Sequence, residues 1–592
     1  MTGPSRSPLV WWRETAAAVV VLVSRILTAP RTPWENDEFL FASAVRRFDP
    51  SHYHPHPPGY PLYVLLGKAV ALIVHDPWQS LVVLGILAAP VGVVALSRAF
   101  YRWTDDADLS VCGALLYYFS ASMLVHGTLA LSDGPSMMFL ALTLFAVSVQ
   151  PGEDHERNAM AVGLWSSAAI GCRPQLLIPL LPLLAVAFWR MRTRRQQIAA
   201  VAVFGFVSLM WFLPLVDAAG GVSALLAYQT KQAAYFASHD AAMSRGAMSA
   251  AAVTVRFLLH PWGSKYLTLP LMAMVVLGLR EAARRRSALL PLLLFTAVQL
   301  WFELGWMDPA DGARYSLPAM MLIALLAAFG LRTIRDSAHI RALPIVLVSL
   351  FVAITIGYVH PLLAQRRAIP SPPAAAAAFV NQSYPPSTTV LFDPSTRPHV
   401  EYLLPRFHSV PIEQGLREAY SRPDTGLVMF VDGGSYARDT HVFSWPPSDA
   451  YGKLTRNLYR QISIDPVTPE ERYLPIAGVY ALERTIDGDE WRWLERDATI
   501  RVARRRPTIA LSFRLSSDSP YETSLVTVTP AGQAPLSVVA RKHELCTLVV
   551  PLPAVSPIDL HIHAAQSFAP ATVLHNQDPR LLAVQLTRVE QR

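Results

Sequence analysis

Residues 9–41 read LVWWRETAAAVVVLVSRILTAPRTPWENDEFLF. The first two-thirds is long and apolar enough to cross a bilayer, which takes about 20 such residues. It then runs directly into three carboxylates, Glu35, Asp37 and Glu38. A span ending in acid describes a membrane protein with polar chemistry at its surface. The whole chain agrees. Of 592 residues, 52% are hydrophobic and only 16% charged, with a mean hydropathy of +0.30. Soluble domains carry about a quarter charged residues. A purely soluble enzyme, a disordered chain and a nucleic-acid binder are thereby excluded. The net charge of +8 comes from short Arg blocks between apolar runs, not from one basic face. Cys112, Cys172 and Cys546 lie too far apart for a disulfide framework or a zinc site.

Further apolar runs follow. Expected spans are 9–29, 79–97, 109–126, 132–149, 159–172, 174–190, 197–216, 263–279, 287–305, 314–331 and 342–361, about eleven in all. The pair around Arg173-Pro174 reads alternatively as one long kinked helix. A signal peptide at the start is disfavoured by length, by Arg25 and by the lack of a small-residue cleavage site before Pro30. Basic blocks at Arg98/Arg102, Arg190–Arg195, Arg280–Arg286 and Arg332–Arg341 then share one face with Arg6 and Arg13, and the positive-inside rule makes that face cytoplasmic. Residues 59–74, GYPLYVLLGKAVALIV, would reverse every later block if they crossed. They are expected to lie in the outer interface. The outer loops are then 30–78, 127–133, 173, 217–262, 306–313 and everything beyond 361. The inner loops hold no G-x-x-x-x-G-K-[ST] motif, so no ATP-driven machine is expected there.

The expected domains are a membrane domain over 1–362, with outer loops 30–78 and 217–262, and a Pro/Ala/Ser-rich linker at 363–375. A small α/β domain follows at 376–475, then a β-sandwich-like domain at 476–592, where strand-like runs such as TIALSFRL and SLVTVTP recur. The fold class is thus a polytopic α-helical membrane protein followed by periplasmic α/β and β-sandwich domains.

Candidate site residues gather in the outer loops. Asp37-Glu38 follow the first span, and His56-Pro57-Pro58 open the interfacial segment that carries Gly67-Lys68. Ser132-Asp133-Gly134-Pro135 open a later span, Arg173-Pro174 precede an apolar run, and Arg314-Tyr315-Ser316-Leu317-Pro318 lead into a late one. In this order, over about residues 9–335, the pattern resembles the C-fold (GT-C) membrane glycosyltransferases. These use polyprenyl-phosphate-linked sugars, as protein O-mannosyltransferases and the lipid A aminoarabinose transferase do. His56 and Arg173 stand where some of those relatives carry Lys, and the likeness does not extend beyond 361.

The resemblance implies a GT-C fold and sugar transfer from a polyprenyl-phosphate donor to a glycan, lipid or protein hydroxyl. Asp37 would match the family's general base, with Glu38 and Asp133 as further catalytic carboxylates. The residue chemistry supports this independently. A positioned carboxylate can take the proton of a poor hydroxyl nucleophile. Asp133 suits an oxocarbenium-like transition state. A lipid phosphate needs cationic and hydrogen-bonding partners, for which His56, Arg173, Arg314 and Tyr315 are placed. Lys231, Arg245 and Lys265 are weaker candidates, and Asp308 and Asp311 read as turn formers. His52, His54 and His56 alternate as metal ligands on an extended strand would; no metal or cofactor is assigned. The alternatives are a ligase using a diphosphate carrier and a non-enzymatic lipid or glycan transporter. A transporter needs ionisable groups in mid-span, and these spans are nearly free of them. The partners expected are the donor, an acceptor and membrane lipids. Arg-rich, Lys-poor usage suggests a GC-rich genome; the expected location is a bacterial inner membrane, with the C-terminal domains outside.

Overall fold

A computed structural model describes residues 9–148, 155–239, 250–421, 426–432, 441–444, 449–455, 461–484, 490–574 and 578–592. The chain divides into two compact units. The first holds residues up to 370 together with 447–458; the second holds 371–446 and 459–592.

The first unit is helical. It begins with α1 (Leu9–Thr28), α2 (Asn36–Arg46), α3 (Pro61–Val74), α4 (Pro77–Thr104) and α5 (Ala107–Tyr118). It continues through α6 (Ala121–His126), α7 (Asp133–Val147), α8 (His155–Cys172), α9 (Leu177–Arg190), α10 (Arg194–Ala218) and α11 (Val222–His239). Then come α12 (Ala250–Leu258), α13 (Lys265–Arg284), α14 (Arg286–Trp306), α15 (Gly312–Tyr315), α16 (Leu317–Ala338) and α17 (Leu343–Ala368).

Every expected span contains helix. Six described helices are long and apolar enough to cross a membrane: α4, α10, α13, α14, α16 and the run beginning at Leu343. The expected span 109–126 is broken into α5 and α6 because Ser120 caps a new helix through Met123 N–H. The expected span 314–331 is likewise divided, between α15 and α16. Between α8 and α9 the helix is interrupted at Arg173, and Pro174 opens a short 3₁₀ turn. These are therefore two helices, not one kinked one.

Helices cross where side chains are smallest. A Cβ on Gly278 would press on the Leu326 carbonyl, one on Gly330 on that of Met274, and one on Gly163 on that of Ala200. Close backbone approach at glycine is how apolar helices associate where no hydrophobic force drives them. Outward faces stay greasy: Ile198, Phe206 and Met210 on α10 are all exposed.

The basic blocks meet at one end of this unit. Arg285 bonds Asp105 at 2.8 Å, Arg335 bonds Asp106 at 2.5 Å, Arg332 lies 3.5 Å from Glu281, and Arg13 pairs with Asp108 at 2.9 Å. α4 runs from this end to the other, a rise of roughly 40 Å at 1.5 Å per residue.

Three expectations for the chain beyond the membrane domain are corrected. Most of the expected linker at 363–375 is helical: α17 continues to Ala368, only residues 369–371 are irregular, and Ser371 caps a helix over Pro372–Ser383. The reason is the alanine run, the best helix former, entered through prolines at a position that needs no N–H. The unit's first sheet holds β1 (Thr389–Phe392), β2 (His408–Pro411), β3 (Leu427–Asp432), β4 (His441–Ser444) and β5 (Gln461–Pro466) in the order β2-β1-β3-β5-β4. It is parallel across β2-β1-β3 and antiparallel beyond. Residues 449–455, expected inside this domain, pack instead within the first unit, where Leu454 is fully buried.

The second sheet is built from β6 (Leu474–Arg484), β7 (Glu490–Val502), β8 (Thr508–Arg514), β9 (Thr523–Pro530), β10 (Leu536–Arg541), β11 (Cys546–Pro551), β12 (Ile558–Ala564) and β13 (Gln585–Gln591). The order is β10-β9-β12-β7-β13-β8-β11, with β6 also on β7. It is one hydrogen-bonded sheet, where two packed sheets were expected. Its terminal strands, β10 and β11, are joined by a short turn. The sheet therefore curls around a single core of alternating inward residues such as Ile500, Leu511, Val528 and Leu560.

Candidate active site

The site is built at the end of the first unit opposite the Arg clusters. Asp37 is the second residue of α2, where a carboxylate is favoured by the free N–H groups of the first turn. Its neighbour Glu38, expected beside it as a catalytic carboxylate, points elsewhere. Glu38 is fully buried. One oxygen accepts from the backbone N–H of Trp34 (2.6 Å) and Glu35 (2.9 Å), the other from Trp78 Nε1 (3.0 Å) and Ala130 N–H (2.9 Å). This carboxylate ties α2 to the head of α4 and to the turn before α7. Its acceptor sites are taken by the protein.

Asp37, Arg314, Asp133 and Arg173 form one chain of ion pairs. Arg314 Nη1 lies 2.9 Å from Asp37 Oδ2, and Arg314 Nε lies 2.9 Å from Asp133 Oδ2. Arg173 Nη1 donates to the other Asp133 oxygen. Asp133 is the first residue of α7 and not its cap, because both its oxygens serve the arginines. Neither arginine snorkels to headgroups: their side chains are 6% and 8% exposed. Asp133 is fully buried, whereas the Asp37 side chain is 26% exposed and has access to solvent. Burial opposes the Asp37 charge, but His56 and Arg314 outweigh it and hold its carboxyl below the usual range.

His56 Nδ1 stands 3.8 Å from Asp37 Oδ1 and is a buried nitrogen without a hydrogen-bond partner. Burial lowers its pKa, against the pull of the Asp37 carboxylate. The ring sits among Phe41 and Tyr60 at centroid distances of 5.8 and 5.2 Å. Tyr315 lies beside both arginines, its ring centre 5.8 Å from the Arg173 guanidinium and 6.0 Å from that of Arg314. All the expected site residues except Glu38 thus converge.

His52 does not join them. It sits in a 3₁₀ turn rather than an extended strand and bonds Asp49 at 2.9 Å. Among the described residues no group of three or more His, Cys, Asp or Glu side chains is arranged to hold a metal. Lys231 and Lys265 are exposed, and Arg245 lies outside the described residues. Asp308 is a turn former, accepting from Ala310 N–H at 2.8 Å; Asp311, expected to be one, also lies 3.8 Å from Arg314.

Four further residues belong to the site beyond those expected in it. Tyr60 accepts a hydrogen bond from Gln175 at 2.7 Å, beside His56. It follows Gly59, whose φ of +99° and closeness to Leu215 exclude a side chain. Glu35 pairs at 3.2 Å with Arg366, which is buried at the end of α17. Burial pushes the Glu35 carboxyl up to about 8 despite that partner. Only Glu35 carried a sequence signal, being one of the three acids after the first span.

No family model matches the chain, and no curated protein does. Solved structures do. The crystal structure of ArnT from Cupriavidus metallidurans bound to undecaprenyl phosphate is 14% identical, at a TM-score of 0.50, over 78% of this chain and 98% of that one. An oligosaccharyltransferase from Archaeoglobus fulgidus is 12% identical at a TM-score of 0.43, over 93% of this chain and 97% of that one. The likeness to ArnT is one of fold: the chain has the GT-C fold of membrane glycosyltransferases.

Proposed function

We propose that the protein is a membrane glycosyltransferase that takes a sugar from a polyprenyl-phosphate carrier and passes it to a hydroxyl acceptor. The observation that carries this reading is the ion-pair chain Asp37–Arg314–Asp133–Arg173, assembled from four separate segments, in which Asp37 alone reaches solvent. The GT-C fold supports it, as does the undecaprenyl phosphate bound by ArnT.

In the proposed step the acceptor oxygen attacks the anomeric carbon opposite the phosphate. A new carbon–oxygen bond forms, and the bond to the phosphate oxygen breaks with inversion. The acceptor proton passes to the Asp37 carboxylate, and the lipid phosphate leaves with the electron pair. Arg314 and Arg173 supply fixed positive charge for that phosphate, with His56, Tyr60 and Tyr315 around it. Buried Asp133 holds both guanidiniums in place, and Glu38 acts as a positioning residue for α2. The clustered Arg blocks at the other end support an extracytoplasmic site by the positive-inside rule. In a bacterium this is the periplasmic face of the inner membrane, and the acceptor is a glycan, lipid or protein hydroxyl there.

The test is a panel of undecaprenyl-phosphate sugars given to the purified full chain and to Asp37→Asn. Donor consumption by the wild type and its loss in the variant are expected. Equal consumption by both removes Asp37 from the mechanism, and consumption by neither removes the donor class.

A further inference from the structure

The rolled sheet of the second unit carries a cleft of about 470 Å³ that lies wholly within that unit. This is the size of small-molecule sites. We propose that it binds a neutral saccharide unit of an oligosaccharide. The inference does not depend on the glycosyl-transfer reading.

The cleft floor follows from strand register. Trp493 on β7 lies opposite Gln585 on β13, and Gln585 lies opposite Arg514 on β8. Trp491, two residues before Trp493, projects to the same face and faces Glu483 across to β6. One sheet face thus brings the partly exposed Trp491 indole, an amide, a guanidinium and a carboxylate to adjacent places, with the Trp493 indole buried beside them. Arg514 donates to Gln585 Oε1 at 3.0 Å and stands 5.8 Å from the centre of the Trp491 ring. The wall comes from the segment after β12. There Arg580 is clamped by Asp578 at 2.7 Å and bonds Glu483 across to β6. Asp518 and His543 stand exposed at the rim.

Two features select a sugar. The first is sign: cationic and anionic groups alternate around the cleft. A phosphate would meet the carboxylates of Glu483, Asp518 and Asp578, and an apolar ligand would strip water from all of them. A sugar hydroxyl donates to a carboxylate and accepts from a guanidinium, so it matches both, and its C–H face packs on an indole. The second is the Trp491 indole Nε1–H, a buried donor in this lining without a hydrogen-bond partner. A buried donor left unpaired is costly, and a hydroxyl or ring oxygen placed in the plane of the indole at its Nε1 edge would satisfy it.

The experiment uses the full chain in detergent micelles, with immobilised cellohexaose, α-1,6-mannohexaose and α-1,5-arabinohexaose as probes and inorganic phosphate as the anion control. Binding to at least one hexasaccharide is expected, weakened at least tenfold by Trp491→Ala. Trp491→Phe, which keeps a stacking ring and loses the N–H, should fall in between. Asp37→Asn should bind as the wild type does, which separates this cleft from the membrane site. If Trp491→Ala melts early, Asp518→Ala carries the test: weakened binding supports the proposal and unchanged binding overturns it. Binding to none of the hexasaccharides, binding indifferent to a folded Trp491→Ala, loss in Asp37→Asn, or binding of phosphate alone overturns it.

Discussion

Arg314 is the hub of the site, and its removal has a calculable cost. In Arg314→Gln, Asp37 and Asp133 each lose a charge-assisted hydrogen bond of 2.9 Å. Such bonds contribute about 1.5–3 kcal/mol each. Breaking a buried pair by deleting one partner costs about 3–5 kcal/mol, because the other charge stays buried. Asp133 is fully buried but keeps Arg173, and Asp37 has access to water. Both push the loss toward the lower end, near 3 kcal/mol. Equilibrium unfolding of the full chain in mixed micelles, followed on the helical unit, measures it. A second substitution sharpens the test. In Arg314→Gln with Asp133→Asn the shared Arg314–Asp133 interaction is lost once, whereas each single variant loses it separately, so the double variant should be more stable than the two single losses sum to, by about 1–2 kcal/mol. If Arg314→Gln lies within about 0.5 kcal/mol of the wild type, or if the two changes simply add, the charges are not coupled as the geometry requires.

Three other outcomes follow from the same coordinates. Glu38→Ala leaves four N–H donors unsatisfied, so the helical unit should lose about 3 kcal/mol or more; donor consumption should fall with it, whereas Glu38→Gln should recover part of both. Glu35 has its folded pKa raised to about 8 against an ordinary value of about 4.3, so it contributes stability that is full below the ordinary value and is lost as pH rises toward 8. The melting temperature of the wild type relative to Glu35→Gln should therefore fall between about pH 4 and pH 8, and a flat difference would contradict the assignment. Gly330→Leu forces α16 away from the Met274 carbonyl of α13 and should abolish folded protein on size-exclusion, while Gly205→Ala, with open space around it, should be neutral.

Much of the membrane unit was legible because bilayer crossing is a property of composition and length. The Arg blocks were equally legible, and the structure gathers them at one end. Glu38 was misread for a reason available in the sequence: successive helical residues point about 100° apart, so Asp37 and Glu38 cannot share one face. The linker was misread because prolines and alanines look irregular as composition yet suit a helix when Pro stands at its first turn. The sandwich was misread because alternation along a strand reports one buried face, not whether that face closes on a second sheet or on itself.

The amino-acid sequence by itself settled that this is a polytopic membrane protein and which polar residues sit at the ends of its apolar runs, since both depend on local composition. Only the tertiary structure decided the partners. Arg314 meets Asp37 across 277 positions and Asp133 across 181. Such pairings are fixed by helix packing and side-chain direction, which no local pattern encodes.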